Sequence, residues 1–468
     1  MSEIITSNVG LSSTNARSEQ ITEVSPGIRM VGDGGRVKGF FDYTLTGVAY
    51  AQGSAANNRR QALNAAGTVV AVENRLFLDL SGVISQQAVS AFGIQSVDGA
   101  LGSRNPNLSE TSSFRLSPYF RGQLGEFASY EARYGLATTR TASAAASDVT
   151  TKDVSLQLGS GSSFRRLGWS VVASRTETNF DAGRVTQADQ LRASVSFAVN
   201  PQFSLTATGM QESTNLTGAV KESSRSGGWG ANWSPSERTK LSFLRQNRFF
   251  GESHSLNLEH RTGRTAWSLT DSRDVYSASN QATVASLGTV YDLFFSQFAA
   301  VEPDPLKRAE LVNAFLQANG INPGGTVSRG FLTSAVSVQR RQALSVALLG
   351  LRDTVTFLAS RSLSSRLDTA RASSDDFASS DHVRQMGLSI NYAHRLTPHT
   401  SFNLMVSKQD SSGSGGLQDT SLRSLLFNLS TRLGRQTSAA LGFRRVVFES
   451  RTSPYDESAI TGTLSMQF

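Results

Sequence analysis

No cysteine occurs among the 468 residues, which excludes both disulfides and thiolate metal ligands. Histidine is confined to five positions, 254, 260, 382, 394 and 399. Long apolar runs are also missing, since nothing approaches the ~18 consecutive apolar residues of a membrane helix. Residues 1–20 are rich in Ser, Thr and Asn and lack a basic start followed by an apolar core, so no export leader is visible in them. Lysine is scarce as well. Of the 45 basic residues only positions 38, 152, 221, 240, 307 and 408 are Lys, and the rest are Arg. Hydrophobic residues make up 38 % of the chain, and its hydropathy alone matches a soluble protein. A membrane barrel passes the same test, because lumen-facing residues dilute its lipid-facing ones twofold.

The formal net charge is +8. Arginine keeps its charge at any working pH and grips carboxylate or phosphate through a planar fork. The excess has two readings: the codon bias of a GC-rich genome, or a basic lumen or rim facing an acidic polysaccharide or lipopolysaccharide. Nucleic acid does not fit, because the arginines are spread along the chain and build no basic helix or arm. Neither a metal nor any other cofactor is called for.

What the chain has in abundance is alternation. In the last stretch Ile460, Gly462, Leu464, Met466 and Phe468 share one side of an extended strand, with Thr461, Thr463, Ser465 and Gln467 on the other. A terminal strand ending on Phe is similar to the closing strand of bacterial outer-membrane β-barrels. Alternatively, it is a half-buried strand of a soluble sandwich. The same period recurs upstream, at Phe41/Tyr43/Leu45, Ala128/Tyr130/Ala132, Val195/Phe197/Val199, Leu388/Ile390/Tyr392 and Leu425/Phe427/Leu429. These runs extend over roughly 10–14 residues, the length of a tilted membrane-spanning strand and about twice the soluble norm of ~5–6. Strand signals begin at Thr22. Residues 68–86 read as one long strand, and 52–67 and 88–109 as connections.

Connection lengths alternate too. Counting back from Phe468, short turns are expected at 434–435, 397–398, 349–352, 261–264, 234–237, 200–201, 161–165 and 122–125. Longer loops fall between them, at 411–418, 367–380, 277–330, 213–221, 180–187 and 141–148. Short periplasmic turns and long outer loops are the barrel rule, and 52–67 is the exception to it. The expected fold is all-β: a transmembrane antiparallel β-barrel of about 20 strands (18–22) spanning residues 21–468, preceded by a disordered segment, 1–20.

The long loop 277–330 departs from strand. Residues 290–300 and 306–318 read as helices, with Pro305 opening the second, Gly320 placed to cap it and 322–325 turning the chain back. A helical insertion of this length is either a surface decoration or a plug or lid folded toward the lumen. The following run Gly330-Phe-Leu-Thr-Ser-Ala-Val-Ser-Val-Gln-Arg-Arg-Gln-Ala-Leu-Ser-Val-Ala-Leu-Leu-Gly-Leu-Arg352 completes a recognisable set. With Thr22-Glu-Val-Ser-Pro-Gly-Ile-Arg29, Phe77-Leu-Asp79 and Ile84-Ser-Gln-Gln87, it resembles the outer-membrane barrels associated with PEP-CTERM exopolysaccharide loci. The resemblance covers most of 21–468. It implies an envelope barrel serving polysaccharide export, with periplasmic export components as partners.

Chemistry is sparse. His254 and His260 share the parity of Leu256 and Leu258 and so face lipid or the interface, ~20 Å apart, too far to share a metal. His399 and Ser401 have the spacing of outer-membrane phospholipases, but with lumen parity beside a periplasmic turn, so an outer-membrane hydrolase is the weakest reading. Alternation places Arg115, Arg121, Glu131, Arg133, Glu259, Arg261, Asn391, Arg395, Asn403, Asn428 and Arg432 on the lumen side. Such a wall either lines an aqueous pore and sets its selectivity, or pairs across a filled lumen. Arg340 and Gln342 fall on the outward parity of Leu344, which requires either a bulge or a strand end projecting above the membrane. The function expected is a conduit or accessory component for exopolysaccharide export. A general porin-like diffusion channel and a structural barrel with a plugged lumen are the alternatives.

Overall fold

The computed structural model describes every residue except 98–103, 145, 165, 182, 278–290, 292–293, 296–297, 299–304, 319–329, 369–374, 417 and 468. The described strands form one sheet. It opens with β1 (Ser2–Thr6), β2 (Glu19–Val24), β3 (Gly27–Asp33), β4 (Val37–Tyr50), β5 (Asn58–Val72), β6 (Leu76–Ala88), β7 (Leu108–Leu124) and β8 (Ala128–Thr141). It continues with β9 (Val149–Ser160), β10 (Leu167–Phe180), β11 (Val185–Asn200), β12 (Phe203–Thr214), β13 (Glu222–Ser236), β14 (Thr239–Arg248), β15 (Gly251–Arg261) and β16 (Thr265–Tyr276). After the long insertion come β17 (Ser337–Leu349), β18 (Asp353–Arg366), β19 (His382–Arg395), β20 (Thr400–Gly413), β21 (Thr420–Arg432), β22 (Thr437–Ser450) and β23 (Tyr455–Met466).

Every neighbouring pair is antiparallel, and β1 closes the ring by pairing with both β2 and β23. β2 and β3 pair with successive halves of β4 and make one wall strand, broken at Ser25-Pro26 where proline has no N–H to donate. The result is a closed 22-strand barrel, at the top of the expected range.

Two expectations fail here. Residues 1–20 are not a disordered segment, because Ser2–Thr6 is a wall strand with Ile4 fully buried inside and Ile5 61 % exposed outside. Five residues are too few to show a period, and only the ladder reveals them. The stretch 68–86 is not one strand but the end of β5, a turn and most of β6. Asn74 makes that turn in the left-handed region (φ 59°), which asparagine tolerates. The supposed long periplasmic connection 52–67 is therefore mostly β5, and the true connection, 51–57, lies at the loop end. With that change, every expected short turn lies at one end of the barrel and every expected long loop at the other.

The outer surface explains the alternation. Leu344, Phe357, Leu388, Ile390, Val406, Leu425, Phe427, Leu441, Phe443 and Ile460 all face outward and exposed, while their neighbours Ser345, Thr356, Ser389, Asn391 and Ser424 are buried on the inner side. Near the turn end, Phe164 meets Phe127 and Trp169 edge-on, and Tyr392 meets Phe402 in the same way, an aromatic girdle of the kind that marks the membrane interface. A closed ladder, an apolar outer band and an aromatic rim place the protein in the bacterial outer membrane. By the turn-length rule the turn end is periplasmic. No register shift interrupts β17 on either side, so Arg340 and Gln342 lie on a strand end that rises above the band, not at a bulge.

Closure through β1 makes a direct prediction. Deleting residues 2–6 is expected to leave β2 beside β23 in parallel orientation, with no ladder to close. The unboiled protein should then run on a gel at the mobility of the boiled one, whereas the intact chain should show the heat-modifiable shift of a folded barrel.

Candidate functional site

The lumen gathers polar side chains, and alternation puts them there. Arg115, Arg121, Glu131 and Arg133 stand on the inner wall of β7 and β8. Each already has a partner on the wall. Arg115 bonds Asp153 at 2.6 Å, and Arg133 bonds Asp79 at 2.7 Å and Glu131 at 3.1 Å. Arg121 lies 4.2 Å over the Phe77 ring, and Arg133 lies 4.0 Å over Tyr119. Glu259, Arg261, Asn428 and Arg432 hold inner parity on β15 and β21. Arg395, at the turn end of β19, donates to the Leu351 carbonyl at 2.6 Å. Asn391 and Asn403 are both buried, with the Asn403 amide donating to Asn391 at 2.8 Å.

Sequence parity missed two inner clusters. On one wall Arg248 is held by Glu212 and by Asp274, the latter at 2.5 Å. On the other, Arg444 meets Glu457 at 2.7 Å, and Thr6 of β1 donates to the same carboxylate at 2.6 Å. The first cluster joins the alternate strands β12, β14 and β16, and the second reaches Thr6 across the closure of the barrel, so no local pattern announces either.

The inner wall also carries apolar side chains, and these mark where the lumen is filled. The helix α1 (Pro305–Ala318) forms as expected, opened by Pro305, and Tyr291, Phe294 and Phe295 are helical too. Gly320 and the turn 322–325 lie outside the described residues. Phe294, Val312 and Leu316 are buried against Ala393 and Met405, with Leu426 packed alongside. All three wall residues point inward, and Ala393 lies next but one to Arg395 at the turn end of β19. The insertion therefore reaches far down the lumen. Complete burial of a Val, Leu or Phe side chain is worth roughly 1.5–3 kcal/mol each, so this contact is not incidental.

Three other connections fold inward above it. Leu11, from the segment between β1 and β2, and Val97, from the loop after β6, pack on Leu422, Val446, Phe448 and Tyr455 of the inner wall. Ala91, Phe331, Ala335 and Phe377 cluster with Val383. Buried carboxylates tie these loops together. Asp368 accepts from Arg184 at 2.6 Å, Arg366 at 3.0 Å and the Val336 amide at 3.2 Å. Asp376 accepts from Ser90 at 2.5 Å and the Ala91 amide at 2.6 Å, while Asp375 accepts from Thr333. Burial pushes Asp375 and Asp376 above the ordinary carboxylate range. These hydrogen bonds oppose that shift, while Asp375 beside Asp376 adds to it.

The histidines stay apart. His254 and His260 face outward as expected, bonded to Asp271 and Thr239. His399 sits in the turn before β20, and its carbonyl accepts from the Arg432 amide. Ser401 is buried and bonds Ser430 at 3.0 Å.

No family model and no curated protein matches the chain. Among solved structures it is similar to the ferric-catecholate import receptor Fiu of E. coli K12 in its open form (TM-score 0.49, 9 % identity, 100 % of this chain and 81 % of that one). It is also similar to BauA, the ferric preacinetobactin receptor of Acinetobacter baumannii (TM-score 0.48, 11 % identity, 99 % and 79 %). A third is the siderophore receptor PirA of Pseudomonas aeruginosa (TM-score 0.45, 10 % identity, 100 % and 80 %).

The loop carboxylates predict a pH dependence whose sign is fixed. Because the folded loops raise both carboxyl pKa values, they bind protons more tightly than released loops do. The loop lock is then strongest in acid and weakens as pH rises from about 4. Hydrogen exchange at the Ala91 amide, corrected for intrinsic rate, should lose protection as pH rises above about 4, and Asp376→Asn should flatten that slope. Equal protection across the range would remove the carboxyls from the lock.

Proposed function

We propose that the protein is a gated conduit of the outer membrane, with the helical insertion as its gate and a secreted exopolysaccharide as its cargo. The observation that carries this reading is the packing of Phe294, Val312 and Leu316 on Ala393 and Met405, inside the wall and not over its rim. The contact is small enough to break as a unit. Moving a two-state equilibrium from 1:99 to 99:1 takes about 5.5 kcal/mol, which is the scale of the burial involved. The inner wall around the gate carries Ser, Thr and Asn, which suits a hydrated polymer rich in hydroxyls. The resemblance of 22–29 and 330–352 to barrels of exopolysaccharide loci supplies the cargo. Periplasmic export components would then meet the short turns.

One observation favours a second reading, a structural barrel whose lumen stays plugged. The connections after β6, β10, β16 and β18 interlock through Asp368, Asp375 and Asp376, more fastening than a single gate requires.

Conductance in a planar bilayer distinguishes the two. The intact protein is expected to be silent or to open briefly. Val312→Asp with Leu316→Asp places two carboxylates in the apolar contact and should give steady current, as should deletion of 277–330. Silence in all three, with heat-modifiable mobility retained, would leave the structural barrel. Steady current in the intact protein would show that the insertion does not seal. For the cargo, loss of secreted polymer on gene deletion, restored by the intact gene, is the expected result.

A further inference from the structure

The outer wall carries one row of side chains that breaks its own pattern. Across β14 to β19 the register runs Arg245, His254, Arg273, Arg340, Leu363, Arg384, each directly opposite the next. Parity points all six outward, on the face that carries Leu344 and Leu388 nearer the turn end. Each of those leucines is four residues from the arginine on its strand, or about 13 Å along it. Arg361 stands one step below the row on β18, opposite Gln342 and Met386 and diagonal to both Arg340 and Arg384.

Directly opposed residues of an antiparallel pair hold their Cβ atoms about 4.5–5.5 Å apart, and like charges in that position destabilise the sheet. Arg273 opposite Arg340 is such a pair. Lys408 opposite Arg423, on β20 and β21, is another. Carboxylates meet part of this charge. Glu252 takes Arg245 at 2.9 Å, Asp271 takes Arg340 at 2.7 Å and His254 at 3.2 Å, Asp410 takes Lys408 at 2.9 Å, and Glu449 takes Arg423 at 3.3 Å. Among the described residues Arg361 and Arg384 form no ion pair, and both are exposed. Asp271, fixed by Arg340, His254 and Gln342, pins the head of Arg340 beside them.

We propose that this patch binds the phosphate groups of a glycolipid in the outer leaflet, with Arg361 and Arg384 as the principal ligands and Arg340 as the third. The position selects the occupant. The guanidinium groups stand where the apolar band ends at the loop side, the depth of a headgroup, and Leu344, Met386 and Leu388 below them offer a surface for acyl chains. A lipid satisfies both surfaces at once, whereas a soluble anion or an acidic protein leaves the leucines to other lipids. Arginine's planar fork suits a phosphate that approaches from the side. The inference is independent of whether the lumen conducts.

The test uses the full-length protein in detergent micelles, titrated with bisphosphorylated lipid A, its phosphate-free counterpart and inorganic phosphate, with bound lipid counted by native mass spectrometry. The intact protein is expected to prefer the bisphosphorylated lipid over the phosphate-free one. Arg361→Ala with Arg384→Ala should weaken that binding by about 30-fold while leaving heat-modifiable mobility unchanged. Arg361→Lys with Arg384→Lys keeps the charge and should fall between the two. Equal binding of the two lipids, or an alanine variant that binds like the parent, would overturn the proposal. So would displacement of the lipid by millimolar inorganic phosphate, which would make the site one for a free anion.

Discussion

Everything in this fold follows from one requirement: in lipid, no backbone N–H or C=O survives without a partner. A sheet satisfies that requirement only by closing on itself, and an antiparallel sheet closes only with an even number of wall strands. β2 and β23 both run toward the turn end, so they are mutually parallel and cannot close the ring directly. The five residues of β1 resolve the conflict by pairing antiparallel to both. A short, polar-looking stretch thus decides whether the other strands form a barrel or an open sheet with two lipid-exposed edges.

Closure at this strand number leaves an interior too wide for wall side chains to fill, and the chain supplies the filling itself. Its connections carry apolar residues that a solvated loop has no use for: Leu11, Val97, Phe331, Phe377, Phe294, Val312 and Leu316, all buried or half-buried against the inner wall or one another. Bringing loop backbone inside needs polar partners as well, and the buried carboxylates of 368, 375 and 376 take up amides and hydroxyls from neighbouring loops. Apolar contacts supply the attraction, and the carboxylates set the geometry. The inner-wall arginines, paired with Asp79, Glu131 and Asp153, belong to the same solution, since an unpaired charge in a filled lumen is expensive.

Much of this was legible, and the parts that were not share a cause. Alternation at 460–468 and along the inner strands gave the barrel, and the lengths of the connections gave its orientation. The helix opening at Pro305 was readable from proline's fixed φ and absent donor. β1 was not readable, because five residues hold no period. The β5–β6 hairpin was hidden because Val69, Val70, Val72, Leu76 and Leu78 run apolar on both sides of the Asn74 turn. Where the insertion packs depends on contacts between residues about 80 apart in sequence, Val312 with Ala393 for instance, which no local signal records. There was nonetheless a trace of it. Met405, Leu422, Val446, Phe448 and Tyr455 are large apolar residues on the polar parity of their strands, and a lumen full of water gives them no reason to be there.

The two sets of residues that break the alternation are therefore the informative ones, and they break it in opposite senses. Apolar side chains on the wet side of β20 to β23 record something non-aqueous inside, namely the chain's own loops. Charged side chains on the lipid side of β14 to β19 record something non-apolar outside. In both cases the wall strand keeps its backbone pairing without a bulge, so the exceptions are not accommodations of strain. They are side-chain choices made on a rigid register, and the sheet tolerates them only where a neighbour from elsewhere completes the contact. The inner exceptions have their neighbours in hand. The outer row has carboxylates for some of its cations and, among the described residues, none for Arg361 and Arg384, and the lipid phosphates proposed above would complete that contact.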